Sequence, residues 1–240
     1  MTVETGTPEG AGGLQAFDLQ PESSLAERAY EQLAQLILTK ALPGGSSVVE
    51  GRLAKQLDIS RTPMREAILR LAAEGLLVKQ GSRSFAVRKV QPVEFFQALK
   101  LRELIEAEAV ELAIGKVAAE DIEDLRAEII RLGQRDAQET AHWELDDRLH
   151  MLFPAALGNA VMIRVLTNLR ISTRLFELSS AAGRVSADAT EHLAILEAFE
   201  KGDARRARAA MVTHLRNVAA ETLDIVSGRD PGGPKRRSVK

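Results

Sequence analysis

Apolar residues recur every three or four positions through most of this chain, which is the pattern of helices that bury one face. Up to Val90 the pattern predicts three helices followed by two short β-like runs, at 24–42, 50–57, 60–74, 76–78 and 85–88. Either Ser23 or Ser24 can cap the first helix, because a serine hydroxyl accepts a hydrogen bond from a free backbone N–H. Three helices and a hairpin in this order predict a winged helix-turn-helix.

Beyond Gln91 the β signal almost disappears and only helical stripes remain. They fall at 93–117, 119–137, 140–156, 159–180, 187–200 and 203–226. Glycine-containing turns separate them at distances that suit helix ends. The fold class predicted for the chain is therefore mainly α, with an N-terminal winged helix-turn-helix domain and a C-terminal all-α helical bundle.

These patterns predict four segments along the chain. They are a disordered arm at 1–20, a DNA-binding domain at 21–90, an all-α metal- and effector-binding and dimerisation domain at 91–227, and a flexible basic tail at 228–240. The first segment is rich in Gly, Thr, Pro and Glu and has no apolar period, which is typical of disorder. The last could add salt-sensitive affinity for DNA, although its composition favours a solvated tail without that role.

Composition excludes several classes of protein. The chain has 240 residues and no cysteine, so disulfides and thiolate metal sites are ruled out and any metal must be held by carboxylates and the four histidines. No apolar run approaches the ~20 residues of a membrane helix, and the first residues lack the features of a signal peptide. We therefore expect a cytoplasmic protein with no membrane partner.

Positive charge is concentrated in the first domain. Residues 40–90 contain ten Lys and Arg against four Asp and Glu, whereas 91–227 contain sixteen against twenty-three. Within the run LDISRTPMREAILRLAAEGLL, the apolar residues Met64 and Ile68 share one helix face, and Arg61, Thr62 and Arg65 share the other. A helix with a core face and a cationic face at its start is suited to a DNA groove.

The chain here resembles the GntR family of bacterial transcription regulators. The resemblance rests on Leu42-Pro43-Gly44, on the Leu53-Ala54 pair after Glu50, and on the run from Ile59 to Val78. It implies a bacterial, nucleoid-associated regulator and a palindromic double-stranded DNA operator bound by a homodimer. It also implies that Arg61, Thr62 and Arg65 lead the recognition helix, and that Arg52 and Arg83 contact DNA around it. Two positions depart from the family pattern: Gly51 replaces a frequent arginine, and Ser84 replaces the usual wing glycine.

Three of the four histidines lie at spacings that suit a metal site. Asp146 and His150 are four residues apart and share a helix face, and His192 and His214 lie in the last two helices. Imidazole and carboxylate ligands suit a divalent ion, with Zn²⁺ as the first choice and Ni²⁺, Mn²⁺ or Fe²⁺ as alternatives. A histidine in an apolar stripe can equally be a hydrogen-bonded core residue, and spacing alone leaves both interpretations open.

The helical part resembles the metal-binding form of the FadR-type subgroup, with an FCD ligand domain. The resemblance implies that Asp146, His150, His192 and His214 hold the ion, and that Arg102 meets a small carboxylate effector. For Arg102 a surface ion pair with Glu106 is the alternative. His142 does not fit the family pattern and is expected at the surface.

The predicted function is a transcription regulator, acting as a repressor, whose operator binding is controlled by a small carboxylate at the metal site. Two alternatives stay open. In one, the metal ion is itself the signal. In the other, the site is that of a metal-dependent hydrolase, for which Glu144, Asp147 and Glu191 are the neighbouring candidate acids or bases.

Overall fold

The computed structural model describes residues 24–81, 84–135, 140–176 and 184–229. The predicted arm at 1–20 and almost all of the predicted tail lie outside this part, as does Arg83. Within it the N-terminal elements are α1 (Leu25–Leu38), β1 (Ser47–Val48), α2 (Glu50–Gln56), α3 (Arg61–Ala73), β2 (Leu77–Lys79) and β3 (Phe85–Val87). The three strands form an antiparallel sheet in the order β1-β3-β2, with Val48 opposite Phe85 and Val78 opposite Ala86.

The predicted cap of the first helix is confirmed at Ser24, whose Oγ accepts a hydrogen bond of 3.1 Å from the backbone N–H of Glu27. The strand β1 was not predicted, because two residues are too few to show a period. Helix α3 packs on α1 through Met64, Ala67 and Ile68, all buried, which confirms the apolar face expected for it.

A four-residue turn joins α2 to α3. Asp58 adopts the left-handed conformation there (φ 52°), which Asp tolerates better than most residues. Ile59 is buried in the core below the turn, and its N–H donates to the carbonyl of Ala54 at 2.9 Å. The turn therefore sets the start of α3 on the surface beside α2.

The C-terminal elements described are all helices. They are α4 (Pro92–Leu112), α5 (Ala119–Gly133), α6 (Thr140–Ala156), α7 (Ala160–Phe176), α8 (Val185–Glu200) and α9 (Ala204–Val226). They match the predicted stripes, except that α4 ends at Leu112 and α5 at Gly133, five and four residues before the predicted ends, and that the residues after Phe176 lie outside the described part. Helix α4 packs most extensively on α9 and α7, while α8 packs on α9 and α5.

The two parts have separate hydrophobic cores. One cluster of buried side chains runs from Ala29 to Val87, and a larger one runs from Val90 to Leu215. The last buried residue of the first cluster is Val87, and the first of the second cluster is Val90. No helix in the described ranges combines the length and apolar character needed to cross a membrane.

Candidate metal centre and nucleic-acid interface

Asp146, His150, His192 and His214 meet inside the helical bundle. The pair from α6 faces His192 of α8 and His214 of α9, and one potential ligand atom from each residue lies within 4.8 Å of those of the other three. The three imidazole rings are buried, with centroids 4.6 to 5.5 Å apart. The set predicted from sequence is therefore brought together in space.

Hydrogen bonds determine which ring nitrogens are free in two of the histidines. Nδ1 of His150 bonds to Oε2 of Glu106, and Nδ1 of His214 bonds to Oε2 of Glu191 at 2.8 Å. An ionised carboxylate only accepts, so each Nδ1 carries a proton. In His214, whose pKa burial lowers to about 4, Nε2 then keeps its lone pair. A histidine ligand held in this way is ready to bind a metal.

Unpaired nitrogens mark the centre of this cluster. Nε2 of His150 and Nε2 of His192 are buried and have no hydrogen-bond partner among the described residues. Each lies 3.4 Å from Oδ1 of Asp146, too far for a strong hydrogen bond. Two ligands bound at about 2.1 Å to one ion lie roughly 3 to 3.5 Å apart. The donor set and its spacing therefore fit a divalent ion, and they explain nitrogens that a plain core would leave unsatisfied.

At neutral pH three of the four candidate ligands are in the form that binds a metal. The fourth, His150, has its pKa raised, because the effect of burial is outweighed by the charges of Glu106 and Asp146, so a cation would have to displace a proton there. Burial lowers the pKa of His214 to about 4, and burial together with the neighbouring imidazole of His214 lowers the pKa of His192 well below its usual value. For Asp146 burial acts in the opposite direction, but His150 and Arg170 outweigh it and hold the pKa well below its usual range. Two neutral imidazoles and an ionised carboxylate are the forms that bind metals.

Asp146 is positioned by an arginine of α7. The Nη2 group of Arg170 donates to Oδ2 of Asp146 at 2.7 Å, so Oδ1 stays directed at the histidines. The same guanidinium donates to Asp147, which also accepts from Arg174. Asp146 keeps 29% of its side chain exposed, whereas the three histidines are buried. Solvent therefore reaches the cluster on the side of Asp146.

A second acidic group, made of Asp188 and Glu191 beside His214, also has metal-ligand spacing. Both of its carboxylates already have a cationic partner, because Arg184 lies 2.7 Å from Asp188 and 2.6 Å from Glu191. Burial raises the pKa of Asp188 to about 7, although Arg184 acts in the opposite direction. This group supports His214 rather than offering a second ion site.

The structure corrects two expectations about residues around the cluster. Arg102 does not pair with Glu106 at the surface: both are buried, and Arg102 donates from Nε to Glu106 at 2.7 Å and from Nη1 to Thr173 at 3.0 Å. His142 is not a simple surface residue either. It is half-buried, and its Nε2 lies 3.1 Å from the carbonyl oxygen of Leu132, so it helps to join α6 to α5.

The DNA-binding candidates lie together on the surface of the N-terminal part. Arg61, Thr62 and Arg65 are exposed at the start of α3, and Arg52 is exposed on α2 beside them. Arg83 lies outside the described residues. The guanidinium of Arg61 lies against Gly51 of α2: a Cβ placed at Gly51 would be 3.6 Å from Nη2 of Arg61, an ordinary van der Waals contact.

Sequence reasoning missed the residues that hold the ligands. Glu106 and Arg170 come from α4 and α7, far from the histidines in sequence. One signal was present: Glu106 lies four residues after Arg102 on an otherwise apolar helix face, which indicates a buried ion pair.

Two family models match the chain. Residues 25–87 match the model described as "Bacterial regulatory proteins, gntR family", and residues 97–217 match the FCD domain. The Uxu operon regulator of Haemophilus influenzae is 25% identical over 233 residues, which cover 87% of this chain and 87% of that protein. The probable D-xylose utilization operon transcriptional repressor of Paenarthrobacter nicotinovorans is 28% identical over 215 residues, 87% of this chain and 93% of that protein.

A solved structure shares the fold. That of E. coli McbR/YncC superimposes with a TM-score of 0.71 and 19% sequence identity, covering 85% of this chain and 99% of that one. At this identity the likeness concerns the fold alone.

Proposed function

This chain belongs to the GntR family of bacterial transcription regulators and carries an FCD domain, and from that premise we propose that a small carboxylate bound at a divalent metal site in the bundle controls its binding to operator DNA. As a member of the family the chain is a DNA-binding transcription regulator and not an enzyme. Beyond family membership, we propose that the chain is of the FadR-type subgroup, that it acts as a repressor, and that it binds a metal ion and an effector.

The buried, unpaired Nε2 atoms of His150 and His192 beside Asp146 carry the metal part of the proposal. Together with His214 they offer three nitrogens and one oxygen, a set that suits Zn²⁺ and also Ni²⁺, Mn²⁺ or Fe²⁺. The bound ion would supply a positive centre with positions left for an acidic ligand. The hydrolase alternative gains no support, because Asp147 is paired with Arg170 and Arg174 and Glu191 is bonded to His214.

Arg102 remains the proposed contact for the effector carboxylate. Its Nε and Nη1 groups are used by Glu106 and Thr173, which leaves Nη2 for a ligand. A planar guanidinium held by two partners is already oriented, so binding a carboxylate would cost little further side-chain entropy.

On the DNA side, we assign base reading to Arg61, Thr62 and Arg65. Their exposure at the start of a helix whose other face is buried supports this role. A guanidinium can bond the O6 and N7 atoms of guanine together in the major groove. Arg52 and Arg83 are assigned to contacts with phosphates, where a cation positions the protein without reading sequence.

We also propose a homodimer, because helix α4 exposes large apolar side chains on one face. Leu101, Leu104 and Leu112 are each about half exposed, at 47 to 54%. They lie three to eight residues apart along the same side of the helix. A second copy of the chain would cover them, and two-fold symmetry would match a palindromic operator.

The test starts from protein stripped of metal with a chelator and an operator fragment selected from a random DNA pool. Operator affinity is measured for the stripped protein, with Zn²⁺ alone, and with Zn²⁺ plus a mixture of acetate, lactate, pyruvate, succinate and gluconate. A change that requires both ion and carboxylate supports the proposal. A full effect of Zn²⁺ alone would instead identify a metal sensor, and no effect in either arm would refute control through this site.

A pair of histidine variants links the effect to the site. His192→Ala removes one candidate ligand, and we expect it to lose Zn²⁺ binding. His142→Ala removes a half-buried histidine of the same bundle that is not in the cluster. It should keep Zn²⁺ affinity close to that of the unmodified protein. Equal Zn²⁺ affinity in the two variants would exclude the proposed ligand set.

A further inference from the structure

Helix α7 (Ala160–Phe176) touches both the candidate metal centre and the DNA-binding part. We infer that α7 transmits the state of the buried site to the DNA-binding domain, and that a hydrogen bond between Arg88 and Ser172 is the junction. This inference rests on the proposed function, since it names the path by which that control would act.

One face of α7 contacts the candidate metal centre. Arg170 donates from Nη2 to Oδ2 of Asp146 at 2.7 Å. Thr173 accepts from Arg102, whose partner Glu106 in turn holds His150. A cation bound by Asp146 would weaken its attraction to Arg170, because both positive charges would share one carboxylate. Occupancy of the site therefore acts directly on this face of α7.

The other face of α7 contacts the DNA-binding part. Ser172 is buried, and its Oγ accepts a hydrogen bond of 2.9 Å from Nη2 of Arg88, the residue that follows β3. Ile171 and Leu175 are half-buried against the core that α1 and α3 share. Leu175 also packs on the core of the bundle, so a single side chain contacts both cores.

Helix geometry places these two sets of contacts on opposite sides. Successive residues of an α-helix are rotated by about 100° around the helix axis. By this rotation Arg170 and Thr173 lie on one side of α7. The mean direction of Ile171, Ser172 and Leu175 is roughly 150° or more from that of either residue. A rigid helix held between two partners moves against one when it shifts against the other. The backbone of Arg88 is itself fixed, because its N–H donates to the carbonyl of Leu76 at 2.9 Å. A displacement of α7 would therefore also move Arg88 and the end of β3, where the β2–β3 hairpin joins the domain.

The variant that tests the junction is Ser172→Ala, with Thr167→Val as its matched control. Both hydroxyls on α7 bond to the carbonyl four residues earlier, at 3.1 Å for Ser172 and 2.9 Å for Thr167. Each substitution removes that bond; Thr167→Val keeps the shape of the side chain, and Ser172→Ala removes only the Oγ atom. Ser172 also accepts from Arg88, whereas the bond of Thr167 stays within α7, so the two variants differ in the contact between domains.

The readout is a coupling factor. It is the ratio of operator dissociation constants of stripped protein and of protein loaded with Zn²⁺ and the five-carboxylate mixture. We expect Ser172→Ala to bring this ratio about 3- to 10-fold closer to one. Its Zn²⁺ affinity and its operator affinity when stripped should stay within about twofold of the unmodified protein. Thr167→Val should keep the full ratio.

The possible failures are distinguishable. If the unmodified protein responds to loading and Ser172→Ala responds equally, the junction is refuted while the proposed function stands. If the unmodified protein binds Zn²⁺ but shows a ratio of one, both are overturned. If Ser172→Ala lowers the thermal stability of the protein, a second variant, Thr173→Val, tests the other face of α7 with the same measurement. An unchanged ratio of operator dissociation constants in Thr173→Val would also refute transmission through this helix.

Discussion

Glu106 offers a sharp test of the metal centre, because it holds a ligand without being one. Its carboxylate is buried on α4, bonding to Nδ1 of His150 through Oε2 and accepting from Nε of Arg102 at 2.7 Å through Oε1. Burial would raise its pKa, but the charges of Arg102 and His150 outweigh burial and lower it, so it is ionised. Glu106→Gln keeps the shape and removes the charge.

Two effects of Glu106→Gln follow from these contacts. A neutral amide oxygen is a weaker partner for His150, and the loss of a ligand's hydrogen-bond partner typically costs ~10- to 100-fold in metal affinity, about 1.4 to 2.7 kcal/mol. The amide N–H₂ would also face Nε–H of Arg102, two donors with no acceptor between them. Breaking a buried ion pair on one side costs about 3 kcal/mol of stability or more.

The assay is a competition titration of stripped protein with a chromogenic Zn²⁺ chelator, alongside urea unfolding followed by circular dichroism. The control is Glu103→Gln on the same helix. Glu103 is 11% exposed and pairs with Lys100 and Arg216, and none of its contacts is a candidate ligand. It should leave Zn²⁺ affinity unchanged and cost less than about 1 kcal/mol. Equal Zn²⁺ affinities of Glu106→Gln and the unmodified protein would refute the role of Glu106 in holding His150.

Three further outcomes are expected. Arg65→Ala should weaken binding to the selected operator by about 1 to 3 kcal/mol and broaden its sequence preference, measured by fluorescence anisotropy on operator variants; a uniform loss on all sequences would show that Arg65 contacts only phosphate. Gly133→Ala should destabilise the bundle by about 1 to 3 kcal/mol in urea unfolding, because a Cβ there would lie 2.5 Å from Cβ of Ala189. Adding Ala189→Gly should recover part of that loss, and no recovery would mean that the contact is not its cause. Leu104→Glu should convert the protein to monomers in light scattering after gel filtration, and an unchanged mass would exclude the exposed face of α4 as the dimer interface.

The helices were predictable from sequence because burial of one helix face places apolar residues every three or four positions, and this spacing is visible within each segment by itself. Ser24 was recognisable as a cap for the same reason, since its partner Glu27 lies only three residues away. Strand β1 was not, because Ser47 and Val48 are ordered by pairing with β3 and not by any period of their own. Local signals therefore predicted the order of the helices, whereas the ends of α1, α4 and α5 lie four or five residues before the predicted positions.

The candidate site shows where local information ends. Asp146 and His150 are predictable as a pair from their spacing on one helix, but their meeting with His192 and His214 depends on how three helices pack. The spacing left a metal site and core histidines both open, and it was the resemblance to a family that favoured the former. The role of Arg170 and the contact of Glu106 with His150 could not be foreseen, because contacts between distant helices leave no periodic trace in the chain.

The central claim is that the buried site and the operator are linked, and linkage requires the effect to be reciprocal. The most direct measurement is isothermal titration of stripped protein with Zn²⁺ in the presence of the carboxylate mixture, with and without saturating operator DNA. We predict that operator DNA changes the apparent affinity of the site by about 5-fold or more, and by the same factor as site occupancy changes operator affinity. Identical titration curves with and without DNA, at full Zn²⁺ stoichiometry, would contradict the account.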